Sequence, residues 1–366
     1  MWRFLLALWV TAVPAAAQPA GLPAPKADGA VRFATFNAAL TDDEPGGLVA
    51  RLEAGDGQAR LVAEVVQRVR PDVLLLQELD RDAGERSLAL FRALLEVGEG
   101  GAEPIRYPYA VFPPSNTGVP SGVDLDGDGR AGGPNDALGF GHHPGQYAFA
   151  LLSVHPVGEV RTFARLLWRD VPESLIPADY YSTAAMAVQP LSSKTHLAAP
   201  IAVGGATITV LAAHPTPPVF DDARDWNGRR NADEIRLLAA ILDGADWAVD
   251  DAGVAGPAGG TVDVGAGGGH AVVMGDLNAD PRRGDSRPGA MSPLLRHPRL
   301  KDVVPRGSEG DRTADFGGGM RVDYVLPTRS LEVIGAGVFW PRPHDPLARL
   351  NAASDHRLVW VDVRLP

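Results

Sequence analysis

Apolar residues fall along this chain mostly in short runs, with few long helical stripes. Residues 31–36 form one run; Leu61, Val62, Val65, Val66 and Val69 then recur at the spacing of one helix face until Pro71 stops the pattern. Residues 72–77 read as the next strand, so the chain opens strand, helix, strand. Runs at 148–152, 184–188, 206–211, 271–274, 322–326, 333–339 and 358–363 read as further strands, and 85–97 and 230–242 as helices. Many strands with few, widely spaced helices predict an α+β protein in which two packed sheets are covered by helices.

Six of these runs are bordered by residues able to do chemistry. They are Thr35-Phe36-Asn37, Gln77-Glu78, His214, Gly275-Asp276-Leu277-Asn278, Arg321-Val322-Asp323-Tyr324 and Ser354-Asp355-His356. Side chains two apart on a strand point the same way, which predicts that Asp276 and Asn278 project together from a strand exit. A carboxylate beside an amide suits a hard oxygen-binding cation, or a phosphate whose attacking water must be oriented. Asp and Asn are also ordinary turn residues, so this pair alone leaves both readings open. Six such segments at strand ends imply loops that converge on one polar site.

In this order the six segments resemble the endonuclease/exonuclease/phosphatase family, which includes deoxyribonuclease I, exonuclease III and the neutral sphingomyelinases. The resemblance runs from about residue 31 to residue 363. It implies a deoxyribonuclease I-like α/β/β/α sandwich of four layers, and hydrolysis of phosphate esters with Mg2+ or Mn2+. Glu78 matches the family's metal-binding glutamate, with Asn37 and Asp355 as further metal contacts. His356 is the leading catalytic candidate, because a histidine near neutral pKa exchanges protons or donates to a phosphate oxygen. Asp323 would hold its other ring nitrogen. The resemblance makes Asp276 the group that orients or deprotonates water, Asn278 a phosphate donor, and His214 a phosphate donor or leaving-group acid. Gln146 and Tyr147 precede a strand that flanks the family's site, and Arg230 and Asn231 open a helix after His214; all four are candidate substrate contacts.

Charge narrows the substrate. The 366 residues carry a formal net charge of −11, and no dense run of Lys and Arg breaks it. A protein holding long nucleic acid through many phosphates needs a basic stripe. A small or lipid-linked phosphate ester is therefore the first expectation and a nuclease the alternative. A catalytically inactive binding module is the third reading, and the intact set of site residues argues against it.

Arg3, an apolar stretch at 4–13 and Ala15-Ala16-Ala17 read as a secretory signal cut after Ala17, which predicts a secreted or periplasmic protein. Residues 18–30 read as a Pro/Ala-rich linker, and 31–366 as one catalytic domain with insertions at about 113–146 and 250–269. No other stretch is apolar for the ~18 residues a membrane span needs. Cysteine is absent, so stability must come from a core or from bound ions. The second insertion, rich in Gly and Ala, reads as a flexible surface loop. In the first, Asp124, Asp126 and Asp128 alternate before Gly129, like the start of a calcium loop. The twelfth position is Asn135, with Asp136 next, so this is no standard EF-hand; a shorter structural Ca2+ site and a solvated turn both remain open.

Overall fold

Alternation along the strands sorts apolar side chains into three layers. Phe33, Val73, Leu75 and Leu151 point one way to meet Ile208, Val210, Val272 and Met274. Their neighbours Ala34, Leu74, Leu76 and Leu152 point the other way, toward helices. On the far side Leu211, Ala271 and Val273 do the same. The computed structural model describes residues 22–256 and 269–366; the signal expected at 1–17 and residues 257–268 of the second insertion lie outside them.

The first sheet runs β10-β11-β1-β2-β4-β3. Its strands are β1 (Ala30–Leu40), β2 (Val73–Leu79), β3 (Tyr109–Val111), β4 (Phe149–Ser153), β10 (Glu332–Val338) and β11 (Val359–Arg364). The second runs β5-β6-β7-β8-β9, from β5 (Arg161–Thr162) through β6 (His196–Val203), β7 (Ala206–Ala213) and β8 (His270–Asp276) to β9 (Asp323–Pro327). Helices α1 (Gly47–Glu53), α2 (Gly57–Val69) and α3 (Arg86–Leu95) cover the first sheet. The short α4 (Thr183–Val188) and α6 (Ser292–Leu295) and the long α5 (Trp226–Asp243) cover the second. Two mixed sheets packed face to face between helices make the expected four-layer α+β sandwich. No helix among the described residues is long and apolar enough to cross a membrane.

Register brings the chemistry to one edge. β1 and β2 are parallel, with Asn37 opposite Gln77, and β7 and β8 are parallel in the other sheet. β9 runs back against β8 with Asp323 opposite Asp276. β11 runs back against β1 with Val359 opposite Thr35, so the turn before it lies by Asn37. Backbone irregularity gathers at the same edge: Ala39, Glu78, Tyr147 and Asn278 all have φ between 48° and 55°, and the β1–β2 register slips between Asn37 and Leu40. Bulges and left-handed residues of this kind re-aim side chains at functional sites. Gly275 (φ 155°) is required there, because a Cβ would stand 2.0 Å from the carbonyl oxygen of Ala213.

Three expectations change, and one strand was not anticipated. Residues 184–188 are helical, because Ser182 caps α4 by accepting the N–H of Ala185, and an Ala/Met-rich run that short carries no periodicity to separate strand from helix. Strand β6 was hidden by Pro200, which the sheet tolerates where β5 no longer pairs. Residues 250–256 form an ordered turn in place of the start of a flexible loop: Asp250 accepts from Ala252, Val254 and Arg161, and Asp251 from Thr162, Ala164 and Arg165. Residues 22–26 lie on the domain: Leu22 packs on the first core, Arg32 donates to the carbonyl of Ala24, and Lys26 pairs with Asp72.

Candidate active site

The groups meet on one carboxylate oxygen. Asp276 is fully buried at the end of β8; its Oδ1 accepts the backbone N–H of Asn278 at 2.9 Å. Its Oδ2 accepts from Asn37 Nδ2 at 3.1 Å and lies 3.4 Å from His214 Nε2 and 3.6 Å from His356 Nε2. Asn37 Nδ2 also donates to Glu78 Oε1 at 3.0 Å, and His214 Nε2 stands 3.9 Å from that oxygen. Five residues from five different strand ends thus share one small space.

His356 is held from behind. Its Nδ1 donates to Asp323 Oδ2 at 3.0 Å, which leaves Nε2 facing Asp276. Thr313 Oγ1 accepts the backbone N–H groups of Val322 and Asp323, and Thr313 O accepts that of Arg357, so one threonine sets both members of the pair. Ser354 Oγ donates to the carbonyl of Asn37 and accepts the N–H of His356, tying the turn to β1. The Phe316 ring stands edge-on to the imidazole, centroids 5.2 Å apart. Thr313 and Phe316 carry no signal in the sequence, because only folding brings residues 313–316 to 356.

Electrostatics divides the two histidines. Burial alone would favour a neutral His356, but Asp323, Asp276 and the hydrogen bond to Asp323 outweigh it and push the ring up to about 10. His356 is therefore an imidazolium at neutral pH, which corrects the expectation of a near-neutral histidine. Burial, with the positive charges of Lys194 and His356, drives His214 well below its usual range, so it is neutral. Its Nδ1 has no partner among the described residues. Burial raises Asp276 to about 6, drawn down by His356 and pushed up by Asp323. Glu78 is also raised, chiefly by burial, although a quarter of its side chain stays open to solvent.

These shifts bear on a metal. Asp276, Asp323 and His356 bring ligand-type atoms within 4.8 Å of one another. Both imidazole nitrogens there face carboxylates, so His356 is engaged by Asp323 and Asp276 in this arrangement. The oxygens of Glu78, with Asn37 and Asp276 beside them, fit a hard divalent ion better: a partly open carboxylate whose charge the protein leaves undercompensated is what such an ion neutralises. Asp355 is exposed on the turn that Ser354 anchors, and its charge acts on His356.

Other candidates are placed differently from expectation. Asn278 does not project in parallel with Asp276, because its φ of 52° ends the strand alternation; its Nδ2 donates to the carbonyl of Pro215. Tyr147 is half-buried at the rim, where its phenol is raised by burial and by Asp43, Glu78 and Asp80. Gln146 is buried and occupied: Nε2 donates to Asp42 and Asp43, and Oε1 accepts from His142. Arg230 is engaged by the protein itself, donating to the carbonyls of Leu138, Pro190 and Leu191. Asn231 donates to the carbonyls of Thr216 and Leu277, bridging the loops that follow His214 and Asp276. Gln146, Arg230 and Asn231 thus brace the loops around the site, as polar groups at 0–6% exposure must be paired within the protein. Asp124, Asp126 and Asp128 do converge, within 4.8 Å. Asp136 closes their loop from outside by accepting from Leu125 and Gly132.

The fold is that of a phosphoesterase class. The endonuclease/exonuclease/phosphatase family model matches residues 34–356, and the chain belongs to that family. Its members act on phosphate esters, typically as metal-dependent hydrolases of phosphodiesters. Among solved structures, an endonuclease/exonuclease/phosphatase from Beutenbergia cavernae aligns over 92% of this chain and 72% of its own, at 19% identity and a TM-score of 0.55. A family protein from Leptotrichia buccalis (15% identity, 92% and 99% coverage, TM-score 0.49) and sphingomyelinase C from Streptomyces griseocarneus (17%, 91% and 99%, 0.48) also align. At these identities the first match speaks for the fold, and the other two add nothing to it. No curated protein matches the chain.

Proposed function

We propose that this protein is an exported, divalent-metal-dependent phosphoesterase acting on a small or lipid-linked phosphate ester. The observation that carries the reading is the convergence of Asn37, His214 and His356 on Asp276 Oδ2, with His356 locked by Asp323. Glu78, with Asn37 beside it, would hold Mg2+ or Mn2+, and Asp355 on the turn before His356 would contribute a further carboxylate. When bound, that ion supplies charge neutralisation on the phosphoryl oxygens. Asp276, ionised at neutral pH, takes the proton of the attacking water. The His356 imidazolium and the N–H of neutral His214 donate to phosphoryl oxygens as charge builds on them. Asn278 fixes Asp276 through its backbone N–H and ties it to the loop after His214.

Charge supports the substrate class. On the loops around the site, Arg224 pairs with Asp222, Arg283 with Asp280, Arg287 with Asp225 and Arg357 with Asp315, while Asp43 and Asp355 stand at the rim. Arginines engaged in this way are poorly placed to follow a polyanion. A structural Ca2+ at Asp124, Asp126 and Asp128 belongs to the same reading of an exported protein without disulfides. The test is hydrolysis by the purified protein, with EDTA or with Mg2+, of supercoiled plasmid beside bis-p-nitrophenyl phosphate, p-nitrophenyl phosphate and a phospholipid panel. Metal-dependent cleavage confined to small or lipid esters is the expected result. Plasmid nicking at low enzyme would make it a nuclease, and inactivity on every substrate would favour a binding module.

A further inference from the structure

Lys194 is buried, 6% exposed, and among the described residues no hydrogen bond or ion pair holds its ammonium. Its backbone is clamped. The carbonyl of Lys194 accepts the N–H of Asn116, and the N–H and hydroxyl of Ser193 both donate to Glu234 Oε1. Glu234 Oε2 accepts from Thr216, so that carboxylate is already occupied. His196 opens β6 opposite Ala213, and continuing the register by two residues sets Lys194 beside Pro215, next to His214.

The charge of Lys194 acts on the site. It is felt by Glu78 and His214, and the negative charges of Glu234, Glu78 and Asp276 act in return on the lysine, which burial pushes down. The ammonium keeps a little solvent contact. An ammonium this poorly hydrated and without a protein partner is normally matched by an anion. Lysine binds phosphate well as a compact point charge. We propose that Lys194 donates its ammonium to a non-bridging phosphoryl oxygen of the bound ester, which makes it a substrate-binding residue of this site. The assignment rests on the phosphoesterase reading and adds to it the cation that the mostly paired arginines do not provide. The competing account makes Lys194 a counter-ion to Glu78 and Asp276 with no contact to substrate.

The two accounts separate by calorimetric titration of inorganic phosphate into the full protein with Mg2+ present. Wild type, Lys194→Met and Lys194→Gln are compared, each first shown to melt cooperatively, and Mg2+ activation of bis-p-nitrophenyl phosphate hydrolysis is measured alongside. Two neutral replacements, one apolar and one polar, keep the test available if either variant misfolds. Loss of one charge-assisted hydrogen bond should weaken phosphate binding by roughly ten- to a hundredfold, with Mg2+ half-activation unchanged or at lower concentration. Wild-type phosphate affinity in either folded variant overturns the assignment. If the wild type hydrolyses the ester while that affinity is unmoved, only the lysine assignment falls; a wild type that neither hydrolyses esters nor binds phosphate removes both readings.

Discussion

At the scale of single residues, Asp276 Oδ2 carries the greatest load, and His356 answers it. His356→Ala should lower turnover on the substrate that wild type cleaves by at least about a hundredfold, the usual worth of such a group; near-normal turnover would sink the mechanism. Glu78→Gln should raise the Mg2+ concentration needed for half-activation, read from a metal titration, while leaving the fold intact. The charge of His356 also links stability to pH. Its folded value of about 10 lies above the ordinary 6.5, so its stabilisation is complete below about 6.5 and is lost as pH rises through 10. Asp276, raised to about 6, acts in the same direction at lower pH: its contribution is lost as pH rises from about 4 to 6. In chelator, the melting temperature of wild type should fall between about pH 7 and 10 more steeply than that of His356→Ala. Parallel slopes would mean that the imidazolium contributes nothing.

At the scale of elements, the site depends on how closely β7 and β8 approach and on how their exit loops are joined. Gly275→Ala would place a methyl 2.0 Å from the carbonyl oxygen of Ala213 at a φ of 155°. It should cost at least about 2 kcal/mol, by strain and overpacking, measured by urea unfolding. Asn231→Ala removes both donors that join the loop carrying Thr216 to the loop carrying Leu277, and leaves two carbonyls needing partners. A loss of about 1–3 kcal/mol follows, together with a fall in turnover as His214 and Asp276 lose their mutual placement. Unchanged turnover would show that the two loops hold their geometry without the bridge.

At the scale of the whole molecule, the first insertion is part of the sandwich and not an appendage. Leu125 enters the core under α5, Asn116 donates to the carbonyls of Ala164 and Ser192, and Thr117 Oγ1 donates to that of Gln146. The three aspartates beside Leu125 are the part of this insertion most exposed to ionic conditions. Replacing Asp124, Asp126 and Asp128 together by Ala should lower the melting temperature in calcium but not in chelator. An equal loss in both would assign those side chains to the turn alone, where Asp124 already accepts the N–H groups of Gly127 and Gly129.

Periodicity and strand-end chemistry placed most of this molecule before folding was considered. Strands with continuous apolar runs, such as 72–77 and 271–274, were legible because a strand buried on both faces has no polar face to obscure it. The six polar segments were legible because strand ends are where loops carry chemistry, and their order is that of the family. What the sequence could not contain was distance. The left-handed turns at Glu78 and Asn278, the approach of Gly275 to Ala213, Thr313 behind the Asp323–His356 pair, and Lys194 beside His214 all arise from chain segments that meet only in the folded state. Tertiary structure also decided protonation. The same residue type is an imidazolium at 356 and neutral at 214: His356 has a carboxylate at each ring nitrogen, whereas His214 meets carboxylates at Nε2 alone, leaves Nδ1 unpartnered and is buried beside the positive charges of Lys194 and His356.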